Sequence, residues 1–244
     1  GTPRDHVLGL TLVSGDGRIL RWGGRVVKNV AGFDMTRLSV GSWGLLGVIT
    51  RVSARLFPLP DCDRTLVLRG KTALDVAEVL RAVAQSGLPV AGMDLVDPLS
   101  SWEAGGEGEG GGESGPGLVL RLLGSRDHVQ GLQSRLEAVL FPYGVSWKIL
   151  EGDRSRSFHE RLGLWEQDAE LVVRLSRLPS CLPALVEEVE ILGERAQRRF
   201  PDTQVRMWAH GSSGLLRLAV RGPVSWDEAG TWWAEMLGNL RGEL

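Results

Sequence analysis

The sequence is poor in cysteine and has no long apolar run, and each lack excludes a class of protein. Its two cysteines, Cys62 and Cys181, lie far apart and in no metal-like spacing. They cannot hold an iron–sulfur cluster or a cysteine-rich zinc site within this chain, so we predict no metal site. We interpret both as thiols of a reducing, cytoplasmic compartment. No apolar run approaches the roughly 20 residues of a membrane helix, and no signal peptide is recognisable.

The sequence also lacks a strong excess of either charge, with a net charge of −2 over 244 residues. The charges are unevenly distributed. Residues 1–60 hold eight basic and three acidic side chains, whereas the remainder holds 20 basic and 27 acidic ones. A basic N-terminal segment suits an anionic cofactor, but no Lys/Arg run of the kind that binds nucleic acid is present. The length allows one large or two modest domains with a full hydrophobic core.

A run of glycines in the N-terminal part is the most informative stretch. Gly41, Gly44 and Gly47 are spaced three apart and follow a short helix that Asp34 is predicted to cap. This spacing and order differ from the Rossmann fingerprint, in which a strand precedes the glycines and a helix follows. Free backbone amides in such a crossing suit an anion such as a pyrophosphate. A plain loop between a helix and a strand explains the glycines equally well.

The residues around this run resemble a known family. The two segments concerned are Lys28-Asn29-Val30-Ala31-Gly32-Phe33-Asp34 and Gly41-Ser42-Trp43-Gly44-Leu45-Leu46-Gly47-Val48-Ile49-Thr50. They resemble the FAD domain of the vanillyl-alcohol oxidase-like (PCMH-type) flavoproteins, and within that superfamily the FAD-binding subunit of bacterial glycolate oxidase. Phe33 stands where that family usually has tyrosine. The resemblance covers residues 1–58.

The resemblance implies FAD as cofactor and names the residues that would hold it. Those of the glycine run, through their amides and one hydroxyl, are Gly41, Ser42, Gly44, Gly47 and Val48. Lys28 and Asn29 would face the flavin ring or the phosphates, and Arg4 and Asp5 would lie near the flavin. From the residues alone, Lys28 is equally a surface lysine, and Arg4 and Asp5 are equally a solvated ion pair.

The resemblance also leads us to expect a fragment. In the family, an earlier glycine-rich loop wraps the FAD pyrophosphate, and the chain ends in Asp-Pro-x-Gly-Ile-x-Asn-Pro-Gly-Arg. Neither feature is found in these 244 residues, which begin Gly1-Thr2 without a methionine. We therefore expect the N-terminal FAD loop and the C-terminal tail to be missing.

Pro58-Leu59-Pro60 marks a predicted domain boundary in an α+β protein. We expect residues 1–58 to form the C-terminal part of a PCMH-type FAD-binding domain, with a hairpin turn at residues 14–17. Residues 62–244 are predicted to form an α+β cap. There the order β-α-β-β-α-β, which is ferredoxin-like, occurs once and recurs without its last strand. Thr72 and Ser125 are predicted to cap its first helices. Residues 104–117, rich in Gly and Glu, are predicted to be a flexible loop, with a functional lid as the alternative.

Oxidation of a 2-hydroxy acid needs a base for the hydroxyl proton and a cation for the carboxylate. Among the four histidines, His210 is the candidate catalytic residue. The segment around it resembles the His-Ala-Gly-Asp-Gly-Asn-Leu-His segment of catalytic relatives. Ser213, Leu215 and Arg217 replace the Asp, Asn and second His of that segment. These replacements favour a plain histidine at a strand end.

Three functions stay open. The first, which we prefer, is the FAD-binding subunit of a complex that oxidises glycolate, a small 2-hydroxy acid, to glyoxylate. The resemblance implies two partners, a second FAD-containing catalytic subunit and an iron–sulfur subunit, and a location that is cytoplasmic or peripheral at the inner membrane. The second is a self-sufficient FAD-dependent D-lactate or 2-hydroxy-acid dehydrogenase. The third is a non-catalytic scaffold that keeps the fold.

Overall fold

A computed structural model describes residues 3–24, 33–97, 115–222 and 228–239. The chain divides into two compact units, residues Gly1–Leu59 and Pro60–Leu244, called here the N-terminal unit and the C-terminal unit. All but the last three residues of the predicted loop 104–117 lie outside the described residues. None of the described helices is both long enough and apolar enough to cross a membrane.

The N-terminal unit is built on a three-stranded antiparallel sheet. Its elements are α1 (Pro3–His6), β1 (Val7–Val13), β2 (Ile19–Gly23), α2 (Met35–Ser39) and β3 (Val48–Ala54). β1 lies in the centre and pairs with β2 on one side and β3 on the other. The predicted hairpin turn is present, because the Ser14 amide donates to the Arg18 carbonyl at 3.0 Å. Leu10 and Leu12 of β1 are the buried apolar residues of this small sheet.

The described part of the C-terminal unit forms one seven-stranded antiparallel sheet covered by helices. Its elements are β4 (Cys62–Arg69), α3 (Ala73–Gln85), β5 (Gly92–Asp97), β6 (Gly117–Gly124), α4 (Arg126–Leu140), β7 (Trp147–Glu151), α5 (Asp153–Leu162), β8 (Leu171–Ser176), α6 (Leu182–Arg199), β9 (Gln204–His210), β10 (Leu215–Arg221) and α7 (Glu228–Asn239). The strand order is β7-β4-β6-β5-β9-β10-β8. When the strands are numbered in chain order within each half, those of the first half (β4 to β7) lie in the order 4-1-3-2 across the sheet, and those of the second half (β8 to β10) lie in the order 2-3-1. The second half therefore repeats the first without its fourth strand. The predicted α+β class is confirmed.

Local signals explain where the helices of this unit begin. The Thr72 hydroxyl accepts from the Asp75 amide at 3.1 Å while the Asp75 carboxylate accepts from the Thr72 amide at 3.2 Å, which is a capping box at the start of α3. Ser125 caps α4 in the simpler way, by accepting from the His128 amide. Both caps are at the predicted residues.

The two faces of the large sheet are covered differently. One face packs against α3, α4, α6 and α7 and forms the main core, in which residues such as Leu80, Leu120 and Leu218 are fully buried. The opposite face is covered by α5 and the turn after it, through a smaller apolar cluster that includes Phe158 and Trp165. The remainder of this second face carries polar and charged side chains, and these form a candidate site.

Candidate functional site

In the N-terminal unit, the glycine run forms the turn between α2 and β3. Asp34 caps α2 as predicted, accepting from the Arg37 amide at 2.9 Å. Gly41 and Gly44 have φ angles of +85° and +80°, a backbone conformation that glycine adopts at no steric cost. A Cβ on Gly44 would meet no atom within 4 Å, and one on Gly41 would meet only the Arg4 guanidinium, at 3.5 Å. Among the described residues, the run therefore leaves open space beside these two glycines.

Some amides of the run are used within the turn. The Ser42 amide donates to the Ser39 carbonyl, and the Gly47 amide donates to the Gly44 carbonyl, each at 3.2 Å. These two amides, expected to be free for an anion, are therefore already satisfied. Among the described residues, the amides of Gly41 and Gly44 have no backbone acceptor. Within that part of the chain they are free to bind a ligand.

Gly47 and Val48 have an evident role in the fold. A Cβ on Gly47 would lie 2.4 Å from the Val13 carbonyl oxygen and 2.5 Å from the Leu12 side chain. Glycine is thus required at this position, where the backbone lies against the end of β1, whether or not a ligand is present. Val48 begins β3 directly opposite Val13.

Of the other residues predicted to hold a cofactor, Arg4 is brought to the glycine run. Its guanidinium donates to the Val40 carbonyl at 2.9 Å, at the C-terminal end of α2. Asp5 lies next to it in α1. Lys28 and Asn29 lie outside the described residues.

In the C-terminal unit, His210 forms a close pair with Asp94. His210 ends β9 directly opposite Asp94 of β5, and its Nδ1 contacts the Asp94 carboxylate. A carboxylate accepts hydrogen bonds, so the tautomer of the neutral imidazole that fits this contact has its proton on Nδ1 and its lone pair on Nε2. The side chain of Asp94 is 8% exposed and that of His210 is 29% exposed. We call this pair the dyad.

Asp94 is a residue that the sequence analysis missed. It lies 116 positions before His210, and only the pairing of β5 with β9 brings the two together. Its carboxylate also accepts from the indole Nε1 of Trp208 at 3.1 Å. The available signal in the sequence was an acidic residue within an apolar strand. It did not indicate which residue Asp94 would contact.

A second polar network lies on the same face of the sheet. Arg121 donates to both carboxylate oxygens of Asp63, at 3.1 and 2.6 Å, and the Ser155 hydroxyl donates to one of them at 2.6 Å. Thr65 Oγ1 lies 2.7 Å from the Ser155 hydroxyl and 3.0 Å from His159 Nε2. The network fastens α5 to β4 and β6.

The network shifts the pKa of two of its members. Burial raises the pKa of Asp63, but hydrogen bonds from Arg121 and Ser155 outweigh burial, so the pKa lies below its ordinary value. Burial, together with the charge of Arg121, lowers the pKa of His159 to about 4. His159 is therefore neutral at pH 7.

Two arginines flank the dyad in related positions. Arg121 of β6 lies opposite Gly92, which precedes the aspartate of the dyad by two residues. Arg217 of β10 lies opposite Trp208, which precedes the histidine of the dyad by two residues. The dyad thus lies between two strand pairs, β5 with β6 and β9 with β10, that each carry one of these arginines. No group of three or more metal-ligating side chains occurs within the described ranges.

Comparison with solved structures identifies the fold. An alkyldihydroxyacetonephosphate synthase superposes with a TM-score of 0.71 at 13% identity, over 98% of this chain and 49% of that one. p-Cresol methylhydroxylase gives a TM-score of 0.66 at 13% identity, over 96% of this chain and 54% of the other. A VAO-type flavoprotein from Myceliophthora thermophila gives 0.54 at 18% identity, over 95% and 45%. The chain has the fold of the vanillyl-alcohol oxidase-type flavoproteins, as predicted.

Comparison with curated sequences adds relatives whose names describe an activity. The chain is 33% identical over 156 residues to glycolate oxidase subunit GlcE of Escherichia coli K12, which covers 61% of this chain and 42% of GlcE. It is 36% identical over 97 residues to glycolate oxidase subunit GlcD of Bacillus subtilis, covering 40% and 21%. A probable mitochondrial D-lactate dehydrogenase of Danio rerio is 28% identical over 199 residues, covering 75% of this chain and 40% of the other.

These matches confirm the predicted relationship to glycolate oxidase subunits. The chain spans less than half the length of each of these relatives. No protein-family profile matches it.

Proposed function

We propose that this chain is part of an FAD-dependent oxidoreductase that oxidises small 2-hydroxy acids, and specifically a subunit that serves the oxidation of glycolate to glyoxylate. The observation that carries the proposal is the dyad, a partly exposed histidine whose Nδ1 is held by a nearly buried carboxylate. The relatives of this chain include subunits named for glycolate oxidation and dehydrogenases named for D-lactate. Glycolate and D-lactate are both 2-hydroxy acids.

FAD suits the glycine run of the N-terminal unit. The amides of Gly41 and Gly44, which have no backbone acceptor among the described residues, and the nearby Arg4 guanidinium offer N–H donors and positive charge to a pyrophosphate. The Ser42 hydroxyl, Lys28 and Asn29 complete the proposed set. When bound, FAD supplies the two-electron oxidation, and the chain supplies its binding and the proton chemistry.

The dyad suits the proton transfer that this oxidation requires. His210 Nε2 accepts the hydroxyl proton as the carbinol carbon is oxidised to a carbonyl, and Asp94 stabilises the imidazolium that forms. The substrate carboxylate needs a cation, for which Arg121 and Arg217 are the candidates on this face of the sheet.

The proposal includes partners and a location. Two free cysteines are fewer than the four that an iron–sulfur cluster requires, so the proposed route for the electrons runs through another polypeptide. We propose a second FAD-containing catalytic subunit and an iron–sulfur subunit as partners. The complex would be cytoplasmic or held at the inner membrane through its other subunits.

A self-sufficient D-lactate dehydrogenase is the second candidate. It is favoured by the D-lactate dehydrogenase match in Danio rerio, which covers 75% of this chain against 61% for GlcE. A self-sufficient enzyme needs no partner for turnover with a dye acceptor, whereas a subunit does.

The test compares the intact protein alone and co-expressed with its partner subunits, using glycolate and D-lactate with a dye acceptor. We expect little turnover alone and glycolate oxidation in the complex. His210→Gln in the complex should lower kcat by about 10²–10⁴ with flavin content unchanged. His128→Gln, on an exposed site of α4, is the matched control and should leave kcat unchanged. Full D-lactate turnover by the single chain, or an active His210→Gln complex, would overturn the proposal.

A further inference from the structure

We propose that Trp208 is a positioning residue, which holds the dyad in the geometry that leaves His210 Nε2 free to act as a base. The role of the dyad rests on the proposed function above, but the positioning itself is a property of the C-terminal unit.

Trp208 contacts both members of the dyad. Its indole N–H donates to Asp94 Oδ1 at 3.1 Å, the same oxygen that contacts His210 Nδ1. Its ring lies beside the imidazole, with the two centroids 4.7 Å apart and the planes inclined at 45°. One side chain thus fixes the rotation of the carboxylate and limits the tilt of the imidazole.

Trp208 is itself held from its other sides. The Arg217 guanidinium lies over the indole, 4.9 Å from the ring centroid, and is anchored by donating to Glu166 at 2.8 Å. Trp165, which is almost fully buried, meets the indole edge to face at 5.7 Å. A cation over the indole face draws on its π electrons, which favours the N–H as a donor. The arrangement gives Trp208 little freedom to move away from Asp94.

The fold itself does not require a tryptophan at this position. The related position in the other half of the sheet, opposite Arg121 and two residues before Asp94, is occupied by Gly92. A strand in this place therefore forms without a large side chain. The difference between Gly92 and Trp208 makes the two sides of the dyad unlike, with an aromatic support on one side only.

The chemical consequence concerns the tautomer of His210. The carboxylate of an aspartate rotates within a broad torsional well unless its oxygens are held by donors. When Trp208 holds one oxygen toward Nδ1, the neutral imidazole keeps its proton on Nδ1, and Nε2 presents a lone pair. Without the indole N–H, the tautomer with the proton on Nε2 becomes more populated, and that form cannot accept a proton from substrate.

The test is Trp208→Phe, which keeps an aromatic ring but removes the N–H donor. Imidazole nitrogen chemical shifts of the ¹⁵N-labelled full chain report the two tautomers, and His210→Gln identifies the signals. We expect the ratio of the Nδ1–H to the Nε2–H form to fall several-fold in Trp208→Phe, because the carboxylate oxygen of Asp94 is no longer held toward Nδ1. In the active complex, kcat should fall in proportion to the fraction of His210 that keeps the Nδ1–H form, while KM changes less than about twofold.

Trp232→Phe is the matched control, because Trp232 is also half-buried in this unit but packs on Phe200, away from the dyad. It should leave the tautomer ratio unchanged. If Trp208→Phe does not fold, Trp208→Met fills the space without a donor and gives the same test. An unchanged tautomer ratio in a folded Trp208 variant would refute the inference, even where activity falls. An active His210→Gln would refute the proposed function and leave the tautomer measurement to decide the positioning role.

Discussion

The two units of the chain cover their own apolar surface to very different degrees. In the C-terminal unit, residues such as Leu120 and Leu218 are completely buried in a continuous core. In the N-terminal unit, Phe33 and Trp43 are each 94% exposed and Leu45 is 88% exposed. Both faces of β3 are largely exposed as well. The C-terminal unit is therefore stabilised by a buried apolar core, whereas the N-terminal unit leaves much of its apolar surface exposed.

This difference indicates where each kind of substitution should have its effect. The C-terminal unit has a self-sufficient core, so it can hold the dyad rigidly on one sheet face. The N-terminal unit has little core, and its candidate site consists of backbone geometry and open space beside Gly41 and Gly44. We expect substitutions in the N-terminal unit to act mainly on ligand binding. Substitutions in the core of the C-terminal unit, away from the dyad, should act mainly on stability.

The largest expected effect is the loss of flavin in Gly44→Val. The side chain would occupy the open space beside Gly44 that the proposed phosphate site needs, so we expect purified protein without the flavin absorbance. Gly17→Val is a matched control, because Gly17 has a φ of +82° and equally open surroundings but lies in the hairpin turn. Both variants carry the same backbone strain, about 1–2 kcal/mol. Equal flavin loss in both would show that strain, and not occupancy of the site, is responsible.

Features that depend on neighbouring residues were predictable from the sequence. The caps at Asp34 and Thr72 and the turn at residues 14–17 are all present where the sequence places them. In each, a side chain or a glycine satisfies the backbone within four residues, so no knowledge of the tertiary fold is needed. The α+β class followed from the order of such elements.

Features that depend on strand register were not predictable. The dyad joins Asp94 to His210 because β5 and β9 pair in one particular register, and a shift of one residue would place the two side chains on opposite faces. His159 lies on a helix rich in charged residues, and its burial against Thr65 follows only from where α5 packs. The amides of Ser42 and Gly47 were expected to be free, but turn hydrogen bonds occupy them.

The pH dependence of the free energy of unfolding should also distinguish the two units. In the C-terminal unit, each of two titrating groups should change that free energy by on the order of 2 kcal/mol. The pKa of His159 is lowered from 6.5 to about 4, chiefly by burial. Its contribution to stability is full above pH 6.5 and is lost as the pH falls towards 4. The pKa of Asp97 is raised from 3.8 to about 6, by burial and then by Glu190. Its contribution is full below pH 3.8 and is lost as the pH rises through 6.

These two contributions oppose each other between pH 4 and pH 6, so the native protein should show a shallow dependence there. His159→Gln should unmask Asp97, and stability should then fall as the pH rises. Asp97→Asn should unmask His159, and stability should then rise with pH. Urea unfolding across this range measures both slopes. Identical slopes in the two variants would contradict the assignment. In the N-terminal unit the pKa of Asp16 is lowered, first by the Ser14 hydroxyl, but that carboxyl is exposed and carries no comparable prediction.

The smallest expected effects come from removing one helix cap in each unit. Thr72→Ala breaks the capping box of α3, whose apolar face includes the fully buried Leu80, and should lower the free energy of unfolding by about 1 kcal/mol. Flavin content should not change.

Asp34→Ala removes a comparable cap, but from the five-residue α2 that leads into the glycine run. We expect it to loosen the position of Gly41 and to weaken flavin binding several-fold. The main urea transition, which reports the core of the C-terminal unit, should stay where it is. A shift of that transition in Asp34→Ala as large as in Thr72→Ala would show that the N-terminal unit contributes to the stability of the whole chain, and the contrast between the two units would then fail.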